Sequence, residues 1–193
     1  MGKMNREEAI ALLNEKIKRE NLLKHMLAVE AIMRAMAERL GEPAEKVEKW
    51  AMVGLLHDVD FDEVADDMDK HGLRSVEILK EQFGDEIDEE MARAIKAHNY
   101  EHTGIKPQSK MDMALIAADA VSGLVVATAL IIPSKQLKDV KAESVVKKFK
   151  QKDFARNCNR EHMLYCERLG LSWPEFAELA LRALQNISDE LGL

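Results

Sequence analysis

Apolar residues recur along this chain at three- and four-residue spacing, and nowhere do five or more residues alternate as a half-buried strand would. The pattern predicts an all-α protein. Asn5 with Glu8 predicts a capping box for a first helix over roughly Arg6 to Arg19, with Ile10, Leu13 and Ile17 as its apolar stripe. A second helix from Asn21 to about Leu40 puts Leu22, His25, Val29, Ile32, Met33 and Met36 on one face, and Gly41 ends it. Pro43 opens a third, on which Trp50, Val53, Gly54 and His57 share the inward face. The acidic stretch Phe61 to Lys70 reads as a loop or short solvated turn. His71-Gly72 begins a further helix, apolar at Val76, Ile78, Leu79 and Phe83 and stopped by Gly84. Asp88 caps the next, whose stripe is Met91, Ala94, Ile95 and His98. Asn99 to Pro107 reads as a loop. Ser109 with Asp112 starts a long apolar helix to Ile132, on which Leu115, Asp119, Ser122 and Val126 share a face, and Pro133 breaks the direction. Ser172, Pro174 and Glu175 open the last helix, with Phe176, Leu179, Leu184 and Ile187 on its core side.

Composition narrows the class. With 193 residues, 47% hydrophobic and 33% charged, the expectation is one globular domain over 1–193 with no repeat or linker. A net charge of −7 argues against general attraction to nucleic acid or to an anionic membrane. The longest uncharged apolar run, Ala120 to Ile132, is shorter than the ~20 residues of a spanning helix and reads as a core helix. Two cysteines, Cys158 and Cys166, form neither a zinc-type pair nor a disulfide framework, and Met1 to Glu8 is polar, so a cytoplasmic location is expected.

Candidate chemistry sits on the apolar stripes. His57 arrives at the inner end of an apolar helix and is followed directly by Asp58; Asp119 interrupts an otherwise apolar helix. Unpaired charges in such places are costly, so they call for a partner or a cation. His25, His57, Asp58, His71, His98 and Asp119 form a set of N/O donors without a thiolate. Such a set suits Fe, Mn, Ni, Co, Zn or Mg. Four donors would hold one ion; six would hold two, with one carboxylate bridging.

His25, then His57-Asp58, then Asp119 resembles the H…HD…D signature of the HD-domain superfamily of metal-dependent phosphohydrolases. The surrounding "LLHD", "HG", "IKAHN" and "ADAVSG" segments fit, and the resemblance covers about Leu22 to Ile132. It implies a helical bundle with a metal-binding core at about 20–132, followed here by a helical C-terminal extension at 133–193. It also implies His25, His57, Asp58 and Asp119 as ligands of a first divalent ion. His71 and His98 match the extra histidines of two-metal members, in which Asp58 bridges. The segment Val59-Asp60-Phe61 lacks the Gly-Lys of the cyclic-dinucleotide phosphodiesterase branch, and the later GYP motif is missing as well. The chain looks most like the small stand-alone HDIG-type hydrolases.

The activity so implied is hydrolysis of a phosphomonoester, phosphoanhydride or phosphodiester bond, in a nucleotide by preference, by a water activated at the metal. Asp58 and Asp60 are the expected catalytic acids, Asp60 orienting a water or a histidine. Substrate contacts are expected from Arg74, His102, Lys141, Lys147, Lys148 and Arg160. Several of these lie in a basic segment, Lys135 to Arg156, which holds only three acids. The expected partner is a small phosphorylated molecule, with neither a membrane nor a stable nucleic-acid partner, and a homo-oligomer is compatible. Two alternatives stand beside this reading: a mixed-valent di-iron oxygenase of the same fold, and a non-catalytic module that binds a nucleotide or metal.

Overall fold

The computed structural model describes residues 4–64 and 66–193. Part of the polar N-terminal stretch and one residue of the acidic stretch therefore lie outside the described residues. Among the described residues there are helices and turns but no strand. In order the helices are α1 (Arg6–Lys16), α2 (Glu20–Arg39), α3 (Ala44–Leu56), α4 (Phe61–Val64), α5 (Leu73–Phe83), α6 (Glu89–His98) and α7 (Tyr100–Thr103). Then come α8 (Lys110–Leu130), α9 (Ala142–Phe149), α10 (Arg160–Met163), α11 (Tyr165–Arg168), α12 (Trp173–Gln185) and α13 (Ser188–Leu191). The all-α expectation holds.

Three helices organise the bundle. α2 and α3 lie against one another along most of their length, and α8 runs through the middle, touching α2, α3 and α6 on one side and α9 to α12 on the other. Gly54 permits the close approach of α3 to α2: a Cβ there would sit 2.8 Å from the Val29 carbonyl oxygen and 2.9 Å from Met33 Cγ. Its neighbours on the inward face, Trp50, Val53 and His57, are all buried. By length and composition α8 could cross a membrane, yet two-thirds of its apolar window (67%) is buried within this bundle. Its start is fixed firmly. Ser109 and Asp112 form a capping box, and the buried Asp112 carboxylate also accepts from Gln108 N and from Arg93 Nε at 3.0 Å. That fixes the rotation of α8, so that Asp119, two turns on, faces α2.

Several boundaries differ from the sequence reading, each with a local cause. α1 stops at Lys16, not Arg19. Asp62 accepts from Lys18 N at 2.7 Å and from Arg19 Nε at 2.5 Å, holding the link between α1 and α2 extended. The acidic stretch contains a one-turn helix, α4, and the acid just before it, Asp60, is fully buried. The Asn99–Pro107 segment also contains a helical turn, α7, closed by Gly104 in the left-handed region. Asn99 (φ −104°, ψ 39°) separates α7 from α6, so His98 and His102 do not share one helix face. After α12 the chain makes one more turn of helix, α13, packed on α2.

Candidate metal centre

Six side chains from five helices and their ends meet between α2, α3 and α8. Asp58 lies in the middle. Its Oδ1 is 3.2 Å from His57 Nε2, 3.3 Å from His71 Nε2 and 3.3 Å from His98 Nε2, and its Oδ2 is 3.6 Å from His25 Nε2. Asp119 Oδ1 lies 3.1 Å from His25 Nε2 and 3.9 Å from His57 Nε2. His57, Asp58, His71 and His98 are buried; His25 (24%) and Asp119 (32%) keep some side-chain exposure. The cluster is thus closed on the α5–α6 side and opens between α2 and α8.

All four imidazoles are held in the same way. His57 Nδ1 donates to Gly54 O at 2.8 Å, and His98 Nδ1 donates to Ile95 O, each one turn back on its own helix. His71 Nδ1 donates to Asp60 Oδ1 at 2.8 Å. His25 Nδ1 meets Ser122 Oγ at 3.1 Å, whose own hydroxyl proton goes to Asp119 O at 2.8 Å. Carbonyl and carboxylate oxygens only accept, so each Nδ1 carries a hydrogen, and each imidazole in its neutral form turns the Nε2 lone pair inward. Orientation of this kind is what metal-binding histidines use.

Asp60 stands in the second of its two expected roles, orienting a histidine and not a water, which corrects its assignment as a catalytic acid. Its oxygens accept from His71 Nδ1, Gly72 N at 2.8 Å and Ser75 N at 2.9 Å, and no part of it faces the cluster. It is a positioning residue for His71. Ser75 completes the arrangement by donating to His57 O at 2.9 Å. Gly72 (φ +85°) is required here, because a Cβ would lie 2.9 Å from Ile95 O. Asn99 Nδ2 donates to Met68 O at 2.8 Å and to His71 O at 3.1 Å, tying the end of α6 to the turn before α5.

This donor set fits divalent metal. His57 Nε2 is buried with no hydrogen-bond partner. His71 Nε2 and His98 Nε2 are 3.0 Å apart, two lone pairs facing each other unless a proton or a cation lies between them. Donor pairs at 3.0–3.3 Å match the edge of a coordination polyhedron with bonds of about 2.1 Å. Two groups of three donors lie within 4.8 Å of one another: His25, His57 and Asp119, and His57, Asp58 and His98. The electrostatics agree. Burial pulls His71 down, but its hydrogen bonds to Asp58 and Asp60 outweigh that and hold it up to about 10. Burial likewise pushes Asp119 and Asp58 up, and the facing imidazoles bring both well below the usual carboxylate range. The pocket is strongly anionic until protons or metal ions fill it.

The family model of the HD domain matches residues 22–124, more than half of the 193-residue chain. The chain belongs to the HD-domain family. No curated protein and no solved structure matches the chain. HD domains bind divalent metals and are mostly metal-dependent phosphohydrolases, and the buried His/Asp cluster lies within the matched span.

The expected substrate contacts fare differently from the cluster, and none joins it. Arg160 is a correction: all its N–H groups go to backbone carbonyls between Lys148 and Cys158, including Ala155 O at 2.8 Å and Cys158 O at 2.7 Å, so it staples its own loop. Arg74 is matched by Glu63, Glu77 and Glu81 on the surface, which push its pKa up further. His102 pairs with Asp69 at 3.1 Å on the outside. Lys141 and Lys147 are exposed, and Lys148 Nζ bonds Gln151 Oε1 while lying 4.5 Å from the Phe154 ring. The polar residues that share a groove with His25 are Asn21 and Lys24, and the Lys24 ammonium pairs with Glu20 at 2.8 Å. They stand on α2 beside His25, in a groove of about 410 Å³. Their spacing from His25, four and one positions back, is the signal that marks them in the sequence.

Proposed function

We propose that this protein is a metal-dependent phosphohydrolase acting on a small phosphorylated substrate. His25, His57, Asp58 and Asp119 would hold one divalent ion. Asp58, His71 and His98 would hold a second, with Asp58 shared. The observation that carries the reading is the common orientation of four imidazoles, each tied at Nδ1 and each turning Nε2 toward Asp58, two of them toward Asp119 as well. Divalent ions in such a set supply positive charge against phosphoryl oxygens and lower the pKa of water.

The chain's own groups do the rest. Asp60, the Gly54 and Ile95 carbonyls and Ser122 keep the imidazoles in one tautomer and one rotation, so no reorganisation is needed on binding. The apolar walls of α3 and α8 exclude bulk water from the inner side. Lys24, which lines the same groove as His25 and pairs with Glu20 at 2.8 Å, would exchange that partner for a phosphate oxygen, with Asn21 one turn away as a hydrogen-bonding group.

The test is metal analysis of the purified protein followed by a phosphate-release screen over phosphomonoesters, phosphodiesters and phosphoanhydrides, nucleotides included. Bound divalent metal and phosphate release that a chelator stops and Mn²⁺ restores are expected. Oxygen uptake without phosphate release would turn the assignment to the di-iron oxygenase chemistry, and a metal-free protein would end it.

A further inference from the structure

The groove at the open side of the cluster changes character along its length. Of the cluster residues His25 lines it, with Asn21 and Lys24 beside it on α2, the Lys24 ammonium paired with Glu20 at 2.8 Å. Its floor is a single stripe of α8. That stripe begins at Ser122 and Gly123, one turn beyond Asp119, and continues as Val126 and Leu130, four and eight positions beyond Ser122. Ala28 of α2 and Leu191 and Leu193 from the chain's last turn close the sides. Beyond the polar end the lining side chains are aliphatic. Leu130 at the far end is 48% exposed, one of two large apolar side chains among the described residues left so open. From Ser122 to Leu130 the helix rises about 12 Å, the length of an extended chain of about ten carbons.

A nucleobase is held by stacking on aromatic rings and by hydrogen bonds to its edges. This groove offers no aromatic ring apart from His25 itself, and the hydroxyl of Ser122 is already engaged with His25 and Asp119 O. A cationic and polar end beside the metal-type donors, followed by an aliphatic trough, complements an amphiphile. We propose that the groove binds the leaving group of the substrate, and that the substrate is a phosphate monoester of an aliphatic alcohol, with Lys24 and Asn21 at its phosphate. This rests on the phosphohydrolase reading. Water oxygen bonds to phosphorus, the bond from phosphorus to the alkyl oxygen breaks, and that oxygen takes a proton originating from the water. The products are the alcohol and inorganic phosphate, with no oxidant or reductant involved.

The probes are n-alkylphosphonates from methyl to decyl, which cannot be hydrolysed, titrated calorimetrically into the Mn²⁺-loaded full chain. Adenosine monophosphate serves as the comparison. Affinity is expected to rise about threefold per added methylene until the trough is filled, with adenosine monophosphate binding more weakly than octylphosphonate. Leu130→Asp, at a half-exposed site that tolerates charge, should lower the octyl-to-methyl affinity ratio at least about tenfold. No binding of octylphosphonate, affinity independent of chain length, tighter binding of the nucleotide, or an unchanged ratio in Leu130→Asp would each overturn the proposal. Phosphate release from decyl phosphate is measured in parallel. Chain-length-dependent binding with no release from any ester upholds the groove and ends the hydrolase reading; release from nucleotides with flat chain-length dependence does the opposite.

Discussion

The buried cluster and the lysine-rich segment around α9 are both dense in ionisable side chains, and they use them to different ends. In the cluster each imidazole spends one nitrogen on a fixed oxygen and keeps the other for the pocket, and each histidine lies beside a carboxylate. Around α9 the lysines end in solvent or on their own loop, and Arg160 spends its whole guanidinium on backbone carbonyls. Charge density along a chain therefore does not by itself mark a site. What marks one is a polar atom that is buried, oriented by a second contact, and still left with capacity. A solvated lysine loses little when it points nowhere, whereas a buried imidazole without a partner costs stability.

The contrast can be broken most sharply at Asp58. Asp58→Ala should strip both ions and drop phosphate release to background, read by elemental analysis and turnover; a variant keeping metal and rate would show that the cluster is no centre at all. Asp60→Ala comes next. It leaves three buried donors without an acceptor, for a loss of about 3–5 kcal/mol in chemical denaturation, and it frees the His71 ring, weakening metal affinity about 10- to 100-fold. Asp60→Asn should recover part of the stability. Gly54→Ala pushes a methyl against the Val29 carbonyl and should cost about 1–3 kcal/mol, seen as a lower Tm with His57 displaced. On the other side of the comparison, Arg160→Ala should cost about 1–2 kcal/mol and speed hydrogen exchange between Lys148 and Cys158, with metal content unchanged. Smallest of all, Lys147→Ala should change stability by less than about 0.5 kcal/mol. A large rise in KM for that variant would restore the basic segment to the binding site.

Much of this was readable from residues alone. The capping boxes at Asn5 and Ser109, the stop at Gly41 and the cap at Asp88 are local, and each forms as its own few residues require. His25, His57, Asp58 and Asp119 stood out because helical spacing put polar groups on apolar faces. Asp60 and Ser75 were harder to place. Asp60 sits in a run of acids that reads as solvated, and only the return of the chain at Gly72 and Ser75 encloses it. Arg160 had the opposite history, since a cation in a basic stretch looks available until the loop folds back and takes its donors.

By itself the sequence determined the long helices, most of their caps and their inward faces, because these follow from spacing, capping and the residue types along each short stretch, and the H…HD…D pattern across them carried the resemblance to the family. The tertiary structure alone decided which nitrogen of each histidine is free, which acid supports and which faces the pocket, which side opens, and that the cations of the last third stand aside. Those outcomes depend on contacts between residues far apart in the chain, where distance and burial select among groups that look equivalent when written in a row.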